Sequence, residues 1–230
     1  MGVTVTSDPG AVRRLAIASL EAEGLAALKG AVASFDRVVQ LLAYPVGAAA
    51  PTPGQLGAGI PFAEGLNHRT MAMLAGASSR DLRRVAVLLH VTACVQRIGT
   101  RCAALAALAP ALTPVLATGE RVRLAAELQV LATRRRLLVA CDAVRAASAP
   151  WDEATVSVAA EDRATSDEDD GSGVAVLALA AAARAGDPGG LKTASPLAQL
   201  ADLLDQINLE ASYIAEEAIS VTVGLFTEIA

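Results

Sequence analysis

Aromatic side chains make up only 3% of the 230 residues, while the apolar fraction reaches 53%. The apolar mass therefore falls to Ala, Leu and Val, and a sheet built on aromatic and β-branched pairs lacks its usual material. Sustained two-residue alternation bounded by hairpin turns is missing as well, which excludes an all-β chain. Lysine is scarce: Lys29 and Lys192 are the lysines among 19 basic residues, and the net charge is -5. General binding to a phosphate backbone needs a surplus of positive charge on one face, so no nucleic-acid partner is expected. Cys94, Cys102 and Cys141 are an odd number without paired spacing. A disulfide scaffold is excluded, and buried small hydrophobes in a reducing cytosol are expected instead. No basic segment followed by an apolar run opens the chain, and the most apolar run, Val174 to Ala183, is too short to span a bilayer and stops at Arg184. A cytoplasmic protein is expected. Gly-rich phosphate loops, a nucleophile elbow and Ser/His/Asp or Cys/His sets with known local signatures are also lacking, so no enzyme is expected.

What the chain does have is alanine and leucine at helical spacing. Alanine is the best helix former and leucine follows closely, so the expected fold class is all-α. Leu88, Val91, Val95, Ile98, Cys102 and Leu105 alternate steps of three and four, which places them in one stripe on a helix. Moving on by 109 residues gives Leu197, Leu200, Leu204, Ile207, Ala211 and Ile214, with the same steps in the same order. The chain has the pattern of a tandem repeat whose two seams pack in a helical bundle.

Breakers divide the rest. Asp8-Pro9 starts a long helix that runs to about Ala43, where Pro45 and Gly47 end it. A weaker pattern through Leu56, Ile60, Leu66 and Leu74 carries Pro61, which kinks the second helix or delays its start. Ser78 and Asp81 resemble a capping box for the third helix, expected to run to Pro110. Pro114 and Gly119 punctuate the fourth, which ends at Pro150 and carries Arg134-Arg-Arg136 as a solvated outer face. Helix five is drawn from the acidic stretch Glu161 to Gly173 and the apolar run after it; Gly186 to Gly190 is a loop, and Ser195-Pro196 starts helix six, which ends near Phe226. Two tandem three-helix bundles with six main helices follow, over residues 1–112 and 113–230.

Within this frame Ser79-Arg-Asp-Leu-Arg83 and Gln96-Arg-Ile-Gly-Thr100 resemble motifs of the PhoU phosphate-signalling family. Asp81, Arg83, Arg97 and Gly99 carry that likeness in the first repeat. Asp205-Gln-Ile-Asn-Leu209 and Tyr213-Ile-Ala-Glu-Glu217, with Glu216 and Glu217, carry it in the second. The resemblance implies a regulatory adaptor in phosphate uptake and phosphate-starvation signalling. It would be a homodimer that contacts a phosphate-transporter ATPase and a sensor histidine kinase, reaching the membrane only through such partners. The family's metal clusters use carboxylates four residues apart on one helical face. Here Gln96 and Thr100 stand at those positions, with Cys94 where a further Asp is usual, and Asp205 faces Leu209 at its partner position. On helix two the comparable positions are Glu64 and Asn67. No cofactor is therefore expected, and Asp205 leaves residual metal binding in the second repeat open.

Other residues have plainer readings. His90 and Cys94 lie one turn apart, half of a soft-metal site with no second pair at ligand spacing. His68 is four residues after Glu64, not the Glu-x-x-His of di-iron bundles. Arg97 is expected to pair with a carboxylate on a facing helix. The alternative to the phosphate adaptor is a metal-free helical scaffold with a different protein partner, and a metal-dependent bundle enzyme ranks last.

Overall fold

The computed structural model describes residues 9–43, 59–75, 77–118, 120–148 and 188–227. Among these residues there are five helices and no strand: α1 (Pro9–Ala43), α2 (Gly59–Leu74), α3 (Ser79–Thr118), α4 (Glu120–Ser148) and α5 (Pro188–Thr227). The expected helix five, with Glu161 to Gly173 and Val174 to Ala183, lies outside the described residues, as do Asp8, Pro45 and Leu56.

Ends of the helices follow local chemistry. α1 opens on Pro9, whose missing N–H costs nothing in a first turn. Pro61 is likewise absorbed in the opening turn of α2. The Ser78 hydroxyl accepts the Asp81 N–H at 3.2 Å, capping α3 as its sequence suggests. At the other end of α2, the Arg13 guanidinium donates to the Ala75 carbonyl at 3.2 Å, a cation placed on a helix C-terminus.

Two boundaries differ from those read in the sequence. α3 does not stop at Pro110 but continues through Pro110 and Pro114 to Thr118, a helix of 40 residues. The two rings are one turn apart and exposed, so both missing N–H groups fall on one outer face. On the inner face Ala109 and Leu112 remain buried and hold the helix in register. α5 starts at Pro188 and not at Ser195, so residues 188–190 are helical and Pro196 lies inside the helix. Its ring forfeits one amide bond, while Leu197 and Leu200 directly after it are buried in the core.

Side-chain pairs set the helix directions. Glu21 meets Arg84 near the start of α1 and α3, and Leu42 and Leu116 line one cavity near their ends, so these helices run parallel. α2 returns between them, with Glu23 bonded to Arg69. His90 with Tyr213, Arg97 with Glu210 and Arg101 with Gln206 make α5 antiparallel to α3. Asp36 with Arg134 makes α4 antiparallel to α1, and Gln129 with Asp205 joins α4 to α5. Arg134 stays on the solvated face expected for it, 46% exposed, and from there reaches Asp36 of α1 at 2.8 Å.

All twelve seam residues are buried, from Leu88 to Leu105 and from Leu197 to Ile214. All of them but Leu88 share one apolar core with Phe35 and Leu28 of α1 and Leu137 and Val144 of α4. A smaller cluster, Leu20, Leu66 and Leu88, holds α2 against α1 and α3. Gly24 permits that approach: a Cβ there would lie 3.0 Å from Leu88 Cδ2. α3 passes through residues 112 and 113, the point at which the sequence divides the repeats, and the core runs past it. By length and composition residues 81–117 could cross a membrane, with a mean hydropathy of 1.4. Arg97 and Arg101 at their middle, paired across to α5, would be costly in a bilayer.

Candidate functional site

Of the residues in the two seam motifs, Cys94, Arg97 and Gln206 come together where α3 crosses α5. Glu210 lies beside the apolar stripe of α5, one position before buried Ala211, and its side chain is 6% exposed. A carboxylate taken that far from water needs partners. Arg97 Nε donates to Glu210 Oε1 at 2.7 Å, and Arg101 Nη1 approaches the same oxygen at 3.2 Å. Arg101 Nε also donates to Gln206 Oε1 at 2.8 Å, and Gln206 Nε2 donates to Asp202 at 2.8 Å. Arg97 Nη2 reaches Cys94 Sγ at 3.2 Å. Two helical turns of α3 and two of α5 are thus tied by one polar brace.

Burial alone pushes the Glu210 carboxyl up, but the hydrogen bond from Arg97, the Cys94 thiol and the charges of Arg97 and Arg101 outweigh it. Its pKa lies below the ordinary carboxylate value. Burial pushes the Cys94 thiol up to about 12, and the Glu210 carboxylate adds to the rise against the lowering charge of Arg97. Cys102 is raised to about 12 by burial, and Cys141 to about 11 by burial and the charge of Asp142. All three thiols are free and buried, so at neutral pH they are protonated and poor nucleophiles.

The remaining motif residues are dispersed. Gln96 is half-buried, and its backbone carbonyl accepts the exposed Thr100 hydroxyl at 3.0 Å. Asp205 is exposed and accepts from Gln129 Nε2 at 2.9 Å. Gly99 is buried at the crossing, Arg83 and Glu216 are exposed, and Asp81 and Glu217 are half-buried. Leu209 is exposed. His90 packs edge-on against Tyr213 with ring centroids 6.4 Å apart. On α2, Glu64 and His68 are exposed and Asn67 is half-buried. Among the described residues no three His, Cys, Asp or Glu side chains converge as metal ligands.

Some hydrogen-bonding capacity in the seam is unused. Among the described residues, Glu210 Oε2, His90 Nε2, Asn208 Oδ1 and Gln129 Oε1 are buried without a hydrogen-bond partner. A second feature lies at the far end of the bundle, where α1, α3, α4 and α5 enclose a cavity of about 330 Å³. Its walls include Val39, Leu42, Leu116, Val130 and Leu200, and the exposed Arg123–Glu127 pair also lines it. Such walls suit an apolar group and present no set of converging polar atoms.

Glu210 is the site residue that sequence reading missed. A signal for it existed: the step of 109 residues carries Arg97 to Gln206 and Arg101 to Glu210, so basic residues in one seam have acceptors at the matching positions of the other. Glu21 was missed in the same way. It is 6% exposed and bonds Arg84 through both carboxylate oxygens, locking the starts of α1 and α3. Compared with known proteins, the chain matches no protein-family model and no curated protein.

Proposed function

We propose that the chain is a PhoU-like regulatory adaptor, built as two three-helix units in tandem and acting by protein contact in phosphate uptake and phosphate-starvation signalling. The observation that carries this reading is the reciprocal crossing of the seams. Arg97 pairs with the counterpart of Arg101, and Arg101 pairs with the counterpart of Arg97. That reciprocity is what an approximate two-fold axis between repeats produces. The parallel course of α1 with α3 agrees with it, because the return helix between them in the first unit is α2. Repeats over residues 1–112 and 113–230 would then meet with α3 as the shared long element.

In this reading the protein is cytoplasmic and homodimeric. It holds no metal cluster, and a phosphate-transporter ATPase and a sensor histidine kinase are its partners. It would stabilise one partner state over another by differential contact with its helical exterior. Deleting the gene and following phosphatase expression and phosphate uptake in phosphate-rich medium tests it. Derepressed phosphatase is the expected result; unchanged regulation in a cell without a redundant copy would sink the phosphate reading.

One observation favours the second reading, a metal-free scaffold with another partner. The motif arginine Arg97 is turned into an internal brace to Glu210, so the resemblance is accounted for by packing. Elemental analysis of the purified chain bears on both, since a stoichiometric transition metal would contradict each of them.

A further inference from the structure

The bundle is not packed shut at the end where α1 and α3 finish and α4 begins, and the cavity of about 330 Å³ lies there. Voids larger than a water molecule are rare in protein interiors, because wall atoms that face one give up contacts they could have made. Here the loss falls on one set of side chains. Val39 and Leu42 of α1, Leu116 of α3 and Val130 of α4 each pack against the main core, yet remain half-buried. Leu200 and Ala126 lie deeper and are buried. Ala126 occupies its place with a single methyl group, which leaves room that a larger side chain would take.

The polar groups beside the cavity limit what it can hold. The Thr113 hydroxyl is already donated to the Ala109 carbonyl at 2.9 Å. At the mouth Arg123 and Glu127 are both 55% exposed and pair at 3.3 Å, so their charges cancel. A carboxylate drawn to Arg123 would also meet Glu127, and a cation drawn to Glu127 would also meet Arg123. Neither sign gains much, and a charge carried deeper would lose its water without finding a partner. The valine and leucine walls offer no aromatic ring for stacking or for a cation. What they offer is contact with an aliphatic surface, driven by the apolar area withdrawn from water. A dry cavity of about 150 Å³ accepts one benzene, so about twice that volume accepts roughly ten to twelve carbon atoms.

We propose that this cavity is a binding site for an uncharged aliphatic small molecule of the size of a medium-chain alcohol. Its chain lies against Val39, Leu42, Leu116, Val130 and Leu200, and its hydroxyl stays at the mouth beside Arg123 and Glu127, in water. The inference goes beyond the adaptor reading and does not depend on it. Because the chain supplies nearly all of the contact and no polar group is paired inside, the affinity is modest, in the tens of micromolar.

Methyl NMR of the full chain during titration with 1-decanol reads binding residue by residue. Saturable shifts at the methyls of Val39, Leu42, Leu116, Val130 and Leu200 are expected, with the exposed Leu124, Leu128 and Leu131 unmoved. Shifts at those exposed leucines instead, or no saturable shift anywhere, would overturn the site. Decanoate has the same chain length and a charge, and it should bind about tenfold more weakly or worse; equal or tighter binding would overturn the uncharged class. Ala126→Leu from α4 and Thr113→Leu from α3 fill the cavity by separate routes, so either one suffices if the other fails to fold. Each should weaken decanol binding by about tenfold or more while the urea midpoint is kept or raised, as filling a void does. A folded variant that binds decanol as the wild type does would place the ligand elsewhere and sink the proposal.

Discussion

Leu105 on α3 and Leu131 on α4 belong to stripes of the same residue type and similar spacing, on helices that follow one another in the chain. Leu105 is fully buried and Leu131 is 61% exposed. Helical periodicity assigns residues to a face; it does not say whether that face is covered. For the α3 stripe the cover comes from α1 and from α5, whose own stripe repeats it 109 residues later. No described residue covers the α4 stripe in this way. The same residue type therefore holds the core together in one place and adds little to it in the other.

That contrast can be broken most strongly by truncation. Leu105→Ala should cost about 3 kcal/mol of unfolding free energy, the ordinary cost of a cavity at a fully buried leucine. Leu131→Ala in the monomer should stay within about 0.5 kcal/mol, as an exposed change away from the core does. Urea denaturation of both at micromolar concentration makes the comparison. Equal losses would mean that the α4 face is covered within one molecule.

The brace comes next in size. Glu210→Ala leaves Arg101, 20% exposed, and Arg97, 44% exposed, without their carboxylate. Since Arg97 is partly hydrated, the loss should be about 2 kcal/mol, below the range for a fully buried pair. Its exposed neighbour Leu209→Ala should be close to neutral. If Glu210→Ala also proved neutral in urea, the brace would be ornamental to stability.

Acid should then erase part of the difference. The folded-state pKa of Glu210 is depressed, so its stabilisation is present above the ordinary carboxylate value of 4.5 and is lost as pH falls through the lower folded value. The gap between wild type and Glu210→Gln should narrow between neutral pH and strong acid. A gap that widened toward acid would contradict the sign of the shift. The smallest effect concerns the thiols: with Cys94 and Cys102 raised to about 12 and buried, iodoacetamide should label the folded chain slowly and the urea-unfolded chain fast. Mass spectrometry of the quenched reaction reads both, and rapid labelling of the folded chain would mean that the seam opens.

Much of this architecture was legible beforehand in particular residues. The seam stripes, the cap at Ser78 and the span of α1 follow from spacing and local hydrogen bonding, which need no knowledge of the rest of the chain. The prolines misled for the opposite reason. Pro110, Pro114 and Pro196 weaken a helix locally, but burial of Ala109, Leu112, Leu197 and Leu200 around them outweighs the lost amide bonds. Arg97 was read as a partner for a facing carboxylate, yet its partner Glu210 is 113 residues away, and no local pattern names such a pair.

By itself, then, the amino-acid sequence determined the helical character of the described segments, though not all of their ends, and the matching spacing of the two seams, because these depend on propensity and on neighbours within a turn or two. The tertiary structure alone decided that α5 runs antiparallel to α3, that Glu210 is buried between two arginines, and that the α4 leucines face outward. Those outcomes depend on which faces meet across more than a hundred residues of chain. That is settled by the sum of burial and charge pairing over the whole bundle, and no single stretch of sequence contains it.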